Sequence, residues 1–120
     1  MLQYINGVPV YLAPASGPAI RTEQDAVELM VNSDREAEWL VIPVSRFHPD
    51  FFELRTRVAG GIVQKFVNYR VGFAMIGDVS GYVAASEPFA AFVRESNRGR
   101  HIWFVSDVDD LERRLARIAT

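Results

Sequence analysis

Residues 39–76 read WLVIPVSRFHPDFFELRTRVAGGIVQKFVNYRVGFAMI, and this stretch decides the fold. It begins with Trp39–Val44, a compact apolar run without polar alternation, as expected of a strand buried on both faces. It closes with a second such run, Val71–Ile76. Between them Leu54, Val58, Ile62 and Phe66 form an apolar stripe that predicts one helix from Phe51 to about Asn68. His48-Pro49-Asp50 makes the loop before it, with Asp50 placed to cap the helix. Gly60-Gly61 fall inside the helix, where each glycine costs about 1 kcal/mol relative to alanine. Close packing of helix on sheet is the expected reason for them. Two apolar strands joined through a helix are the unit of a parallel sheet.

Towards the N-terminus, Leu2–Leu12 alternates loosely around Asn6-Gly7, which predicts a hairpin over residues 2–12. Pro9 lacks an N–H and is expected to push its strand towards a sheet edge. Pro14, Gly17 and Pro18 mark a loop over Ala13–Ala19. Thr22 and Asp25 form a capping box for a helix through Ala26, Leu29 and Met30 that ends near Asn32–Arg35. Towards the C-terminus, Asp78–Ala85 reads as a loop, and Ser86 opens a helix bearing Phe89, Phe92 and Val93 that Asn97 and Gly99 stop. His101–Val105 reads as a third core strand. Ser106 is placed to cap a last helix with Val108, Leu111, Leu115 and Ile118 on one face. The order β-β-α-β-α-β-α-β-α implies one α/β domain over residues 1–120. Its expected form is a mainly parallel, mixed sheet of four to five strands covered by about four helices, with right-handed crossovers.

Composition removes several classes of function. Lys+Arg total 13 against Asp+Glu 15, a net charge of -2, which argues against nucleic acid or an anionic membrane as partner. No apolar run approaches the ~18 residues that cross a bilayer, and the N-terminus lacks the layout of a signal peptide, so a cytoplasmic location is expected. With no cysteine, and only His48 and His101 as histidines, no metal site and no cofactor are expected.

Topology sorts the polar residues into two groups. Those following strands lie at the carboxyl edge of the sheet: Ser45, Arg46, His48, Asp50, Gly77, Asp78, Ser80, Gly81, Ser106 and Asp107. There His48 suits a general base, Asp50 or Asp78 its orienting carboxylate, and Gly77-Asp78-Val79-Ser80-Gly81 a phosphate cradle. No spacing links them into an elbow or triad, and a turn with helix caps accounts for the same residues. Those preceding strands lie at the opposite, amino edge: Asn68, Tyr69, Arg70, Asn97, Arg98, Arg100 and His101. Asn97-Arg98-Gly99-Arg100 suits a grip on a carboxylate or phosphate, or a helix C-terminus whose carbonyls the arginines satisfy. Phe66, Tyr69 and Trp103 in the same region suit a partner or dimer surface. The two groups should lie far apart.

The stretches FHPDFFELRTRVAGGIVQKFVNYRVGFAMIGDVSGY and FVRESNRGRHIWFV resemble the bacterial family catalogued as domain of unknown function 4180. The resemblance covers about residues 41–115 and rests most on His48-Pro49-Asp50-Phe51-Phe52, Asn68-Tyr69-Arg70, Gly77-Asp78 and Glu95–His101. It carries no activity, cofactor or catalytic residue. The hairpin before a covered sheet is also similar to the STAS domain. Where phosphorylated STAS proteins carry a serine at a helix start, this chain reads His48-Pro49-Asp50-Phe51, so a phosphoswitch is not implied. The expected function is a non-enzymatic regulatory module acting through protein contacts or self-association, with Asn68, Arg70, Asn97, Arg98 and Arg100 as its partner or small-anion surface. The alternative is a small-molecule or nucleotide-binding enzyme with its pocket at His48, Asp50, Gly77, Asp78 and Ser80.

Overall fold

The computed structural model describes residues 1–119. Asn6 and Gly7 both take positive φ, 52° and 80°, the geometry of a tight hairpin turn. They join β1 (Leu2–Ile5) to an antiparallel β2 (Val8–Leu12). Thr22 caps α1 (Glu23–Asn32) through its side-chain oxygen, and Asp25 reaches back in a capping box. The apolar runs form β3 (Trp39–Pro43) and β4 (Gly72–Ile76), separated by α2 (Val58–Asn68). Then follow α3 (Ser80–Ala85), α4 (Glu87–Arg98), β5 (Ile102–Val105) and α5 (Val108–Ala119).

The five strands lie in the order β1-β2-β3-β4-β5, parallel apart from β1. The crossovers between successive parallel neighbours carry α1, α2 and α4 to one face. Their Ala26, Ile62, Phe66 and Phe89 pack there on Leu40, Ile42, Phe73, Met75 and Phe104. α5 covers the other face, setting Leu111 and Leu115 on Val10, Trp39, Val41, Ala74 and Trp103. The result is a three-layer α/β domain, as the sequence pattern predicts. Among the described residues, no helix is long and apolar enough to cross a membrane.

The local expectations fail at six places. The helix expected from Phe51 begins at Val58, and two 3-10 turns, Pro49–Phe52 and Leu54–Thr56, precede it. Arg57 breaks the run with φ 66°, and the tight turns let the adjacent Phe51 and Phe52 both bury. His48, not Asp50, caps the first turn: its Nδ1 accepts from the Asp50 N–H at 3.1 Å. Gly61 makes room for Glu23 of α1 rather than for the sheet. Ser80–Ala85 is helical, not loop. Asp107 caps α5 by accepting from the Asp110 N–H, while Ser106 only donates its own N–H to Asp110; Val108 stays exposed. Pro9 sits in an interior strand. Its carbonyl accepts from Glu38, one position before the first β2–β3 pair Val10↔Trp39, so its missing N–H deletes no ladder bond.

One contact organises the α5 face. Trp39 pairs with Gly72, and a Cβ at Gly72 would lie 2.4 Å from the indole Cδ2. Because that space is free, Trp39 reaches across β4 to stack on Trp103 of β5, with ring centroids 4.1 Å apart. Gly72→Ala should cost about 1–3 kcal/mol, the usual penalty for overpacking a core. The loss is expected as a lower urea midpoint and a weaker near-ultraviolet circular dichroism signal from the stacked indoles. An unchanged midpoint would mean that Trp39 moves aside freely.

Candidate functional site

The carboxyl-edge group does not gather in one place. His48 and Asp50 stand 3.6 Å apart, Nδ1 to Oδ2. An Nδ1 that accepts a backbone N–H has no proton to share with that carboxylate, so the pair serves the turn. Gly77, Asp78 and Ser80 instead line a cavity of about 590 Å³ with Ser106, Asp110 and Arg114, and neither His48 nor Asp50 is in its wall. Asp78 accepts from the Ser80 N–H at 2.8 Å, and hydrogen bonds from Ser80, hydroxyl first and N–H second, hold its carboxyl below the usual range. Its charge is thereby committed to the turn that starts α3. Ser45 and Gly81 are exposed. Arg46 is buried, donating to the carbonyls of Pro14 and Pro18 and so holding the Ala13–Ala19 loop against the domain.

The amino-edge group divides as well. Asn97, near the end of α4, serves the sheet through its side chain and lines the carboxyl-edge cavity. Its Oδ1 accepts from the Phe104 N–H at 2.8 Å and its Nδ2 donates to the Phe104 carbonyl at 3.3 Å. β5 is an edge strand, and this amide occupies the backbone groups that a further strand would use. Arg98 pairs with Glu95 at 2.9 Å, and Asn68 accepts from Gln64 at 2.9 Å. Phe66 and Trp103 are buried, which removes them as surface anchors; Tyr69 is exposed.

Arg70 and Arg100 remain, and the fold brings both into one cavity of about 670 Å³. β3 and β4 start together, pairing Trp39 with Gly72, and β5 starts one position later, pairing Ile102 with Phe73, so by register Glu38, Val71 and Arg100 follow one another along the amino edge. Glu38, Val71 and Arg100, with His101 one position on, stand in the cavity wall. Trp39, Phe66, Val67 and Ile118 supply its apolar floor. Arg70 and Arg100 are exposed and make no ion pair or side-chain hydrogen bond with any described residue. Arg98, Arg113 and Arg114 each have an acid partner. Arg100 also borders a smaller hollow, about 180 Å³, lined by Arg98, Arg114 and Arg117.

Arg70 is held in a conformation that arginine disfavours. Its φ is 58°, in the left-handed region, immediately beyond the C-cap Tyr69 of α2. The Arg70 N–H bonds to the Val67 carbonyl and the Val71 N–H to the Phe66 carbonyl, a Schellman ending whose left-handed position usually holds glycine. An L side chain there costs about 1–2 kcal/mol. Placing a cation at the helix C-terminus returns only about 0.3–1 kcal/mol. Helix termination alone therefore favours glycine, and the guanidinium at the cavity mouth needs a separate reason.

Sequence reasoning singled out Arg70, Arg100 and His101 but missed Glu38, Trp39, Val67, Gly72 and Ile118 as cavity lining. Their convergence depends on strand register and on where α5 ends. The one available signal was a helix stopping near Asn68 with no glycine to stop it.

A family model described as domain of unknown function (DUF4180) matches residues 5–115, so the chain belongs to that family. The match starts well before the segment that carries the resemblance in sequence and takes in the hairpin turn and β2. No curated protein and no solved structure matches the chain.

The division of roles between Asn97 and Arg98 is measurable. Asn97→Ala leaves the Phe104 amide and carbonyl without their partner and should cost about 1–3 kcal/mol. Arg98→Ala removes an exposed ion pair and should change stability by no more than about 1 kcal/mol. Chemical denaturation of the two variants side by side reads both, and equal losses would contradict the assignment.

Proposed function

We propose that this protein is a cytoplasmic, non-enzymatic binding module whose ligand site is the amino-edge cleft of the sheet. Arg70 and Arg100 receive an anionic group of a partner, and the floor around Trp39, Val67 and Ile118 receives its apolar part. The observation that carries this reading is Arg70 itself: a strained arginine at a glycine-favouring position, without an acid partner among the described residues, in the wall of a cavity of about 670 Å³. Two further features support it. The cavity volume of about 670 Å³ falls within the range typical of ligand pockets. Guanidinium groups also match carboxylate geometry with paired donors. The carboxyl-edge enzyme reading has less support, because the cavity holding Asp78 and Ser80 has no histidine in its wall.

The test uses 4-methylpentanoate, a short branched carboxylate, titrated into the isotope-labelled protein and followed by nuclear magnetic resonance. The Gly72 amide and the Nε–H signals of Arg70 and Arg100 are expected to shift and saturate. Arg70→Gly should abolish those shifts while changing stability by no more than about 1 kcal/mol, since strain relief offsets the lost helix-end charge. Shifts confined to Asp78 and Ser80, or none at all, would overturn the reading.

A further inference from the structure

Resting on that reading, we infer that the amino-edge cleft captures the apolar C-terminal residue of a partner polypeptide. The cleft offers three kinds of recognition at one place. Among the described residues Arg70 and Arg100 have no acid partner and Glu38, in the same wall, has no cation partner, while Trp39, Val67 and Ile118 form an apolar floor. Glu38 makes no ion pair with either arginine, so its acceptor oxygens remain open to a ligand.

Each simpler ligand leaves part of this set unused. An inorganic dianion ignores the floor and is repelled by Glu38. A hydrocarbon leaves three charged groups desolvated without partners, which is costly. A chain end uses all three: its carboxylate meets the arginines, its N–H donates to Glu38, and its apolar side chain lies on the floor. Capture of a terminal carboxylate is a recurring mode of peptide recognition.

The surroundings favour a polypeptide over a free amino acid. A second hollow of about 160 Å³ adjoins the cleft and shares Val71 with it. Met30, Val31, Leu40 and Tyr69 line this hollow together with Asp34 and Arg35, and Val31 and Tyr69 are exposed large hydrophobic residues. A partner whose last residue occupies the cleft would lay its preceding residues along this hollow, against Val31 and Tyr69.

The probe is acetyl-Gly-Ala-Leu as the free acid, titrated by nuclear magnetic resonance beside its C-terminal amide, free leucine and 4-methylpentanoate. The free-acid peptide is expected to shift Gly72, Arg70 and Arg100, and the amides of Val31 and Tyr69 with them. The amide is expected to bind at least tenfold more weakly, Glu38→Gln should weaken the free acid, and Arg70→Gly and Arg100→Ala should each abolish it. Equal binding of acid and amide would overturn the inference. So would free leucine binding as tightly as the peptide, which would assign the cleft to an amino acid. If 4-methylpentanoate shifts the cleft and the peptide does not, the chain-end inference fails and the binding-module reading survives; if neither does, both fail.

Discussion

The contact between Trp39 and Gly72 is the constraint on which the rest of the structure depends. A single added methyl group at Gly72 would lie 2.4 Å from the indole, far inside van der Waals contact. Its absence lets two tryptophans from β3 and β5 close over the strand between them. Trp103 is fixed in turn by donating Nε1–H to the Gly99 carbonyl at 2.9 Å, with the Arg114 guanidinium 5.8 Å from its ring. Two indoles and one helix thereby seal a face that would otherwise need a layer of helices. The same Trp39 ring borders the amino-edge cleft, so the packing of the core and the shape of the candidate site share one side chain.

Strand order accounts for the placement of everything else. A sheet whose neighbours follow chain order sends its crossover helices to one face, and here only α5 returns to the other. The helices of the crowded face end at the amino edge, where their C-termini deliver Arg70 and the Arg98–Arg100 turn. Residues 70–72 then perform three tasks in succession. Arg70 ends α2 in a strained geometry, Val71 lines two adjoining hollows, and Gly72 admits the indole. At the far edge of the sheet Asn97 occupies the backbone groups of Phe104, which protects β5 from pairing with another chain.

Much of this was legible in the sequence, for identifiable reasons. Runs such as Trp39–Val44 are too apolar and too short to be anything but buried strands, and Asn6-Gly7 and Thr22 with Asp25 signal their own local geometry. The misreadings arise where tertiary contact overrides local pattern. Leu54 and Val58 keep helical spacing, yet burying both Phe51 and Phe52 breaks the run at Arg57. Asn97 looks like part of an arginine-rich surface, and only its position beside an edge strand gives it a structural task. The cleft was half legible: Arg70 and Arg100 stand out as cations before core strands. The alignment of Glu38, Trp39 and Gly72 with them is a matter of register, which no single segment encodes.

The central claim is that Arg70 is kept for binding at some expense to the fold. Urea unfolding of the wild type and of Arg70→Gly, each with and without 4-methylpentanoate at ten times its wild-type dissociation constant, tests it most directly. Without ligand the variant is expected to match or exceed the wild type in stability. With ligand the wild type alone gains about 1.4 kcal/mol, as mass action requires of a species that binds only when folded. A variant that is clearly less stable without ligand, and that gains as much as the wild type with it, would make Arg70 a structural residue and contradict the account.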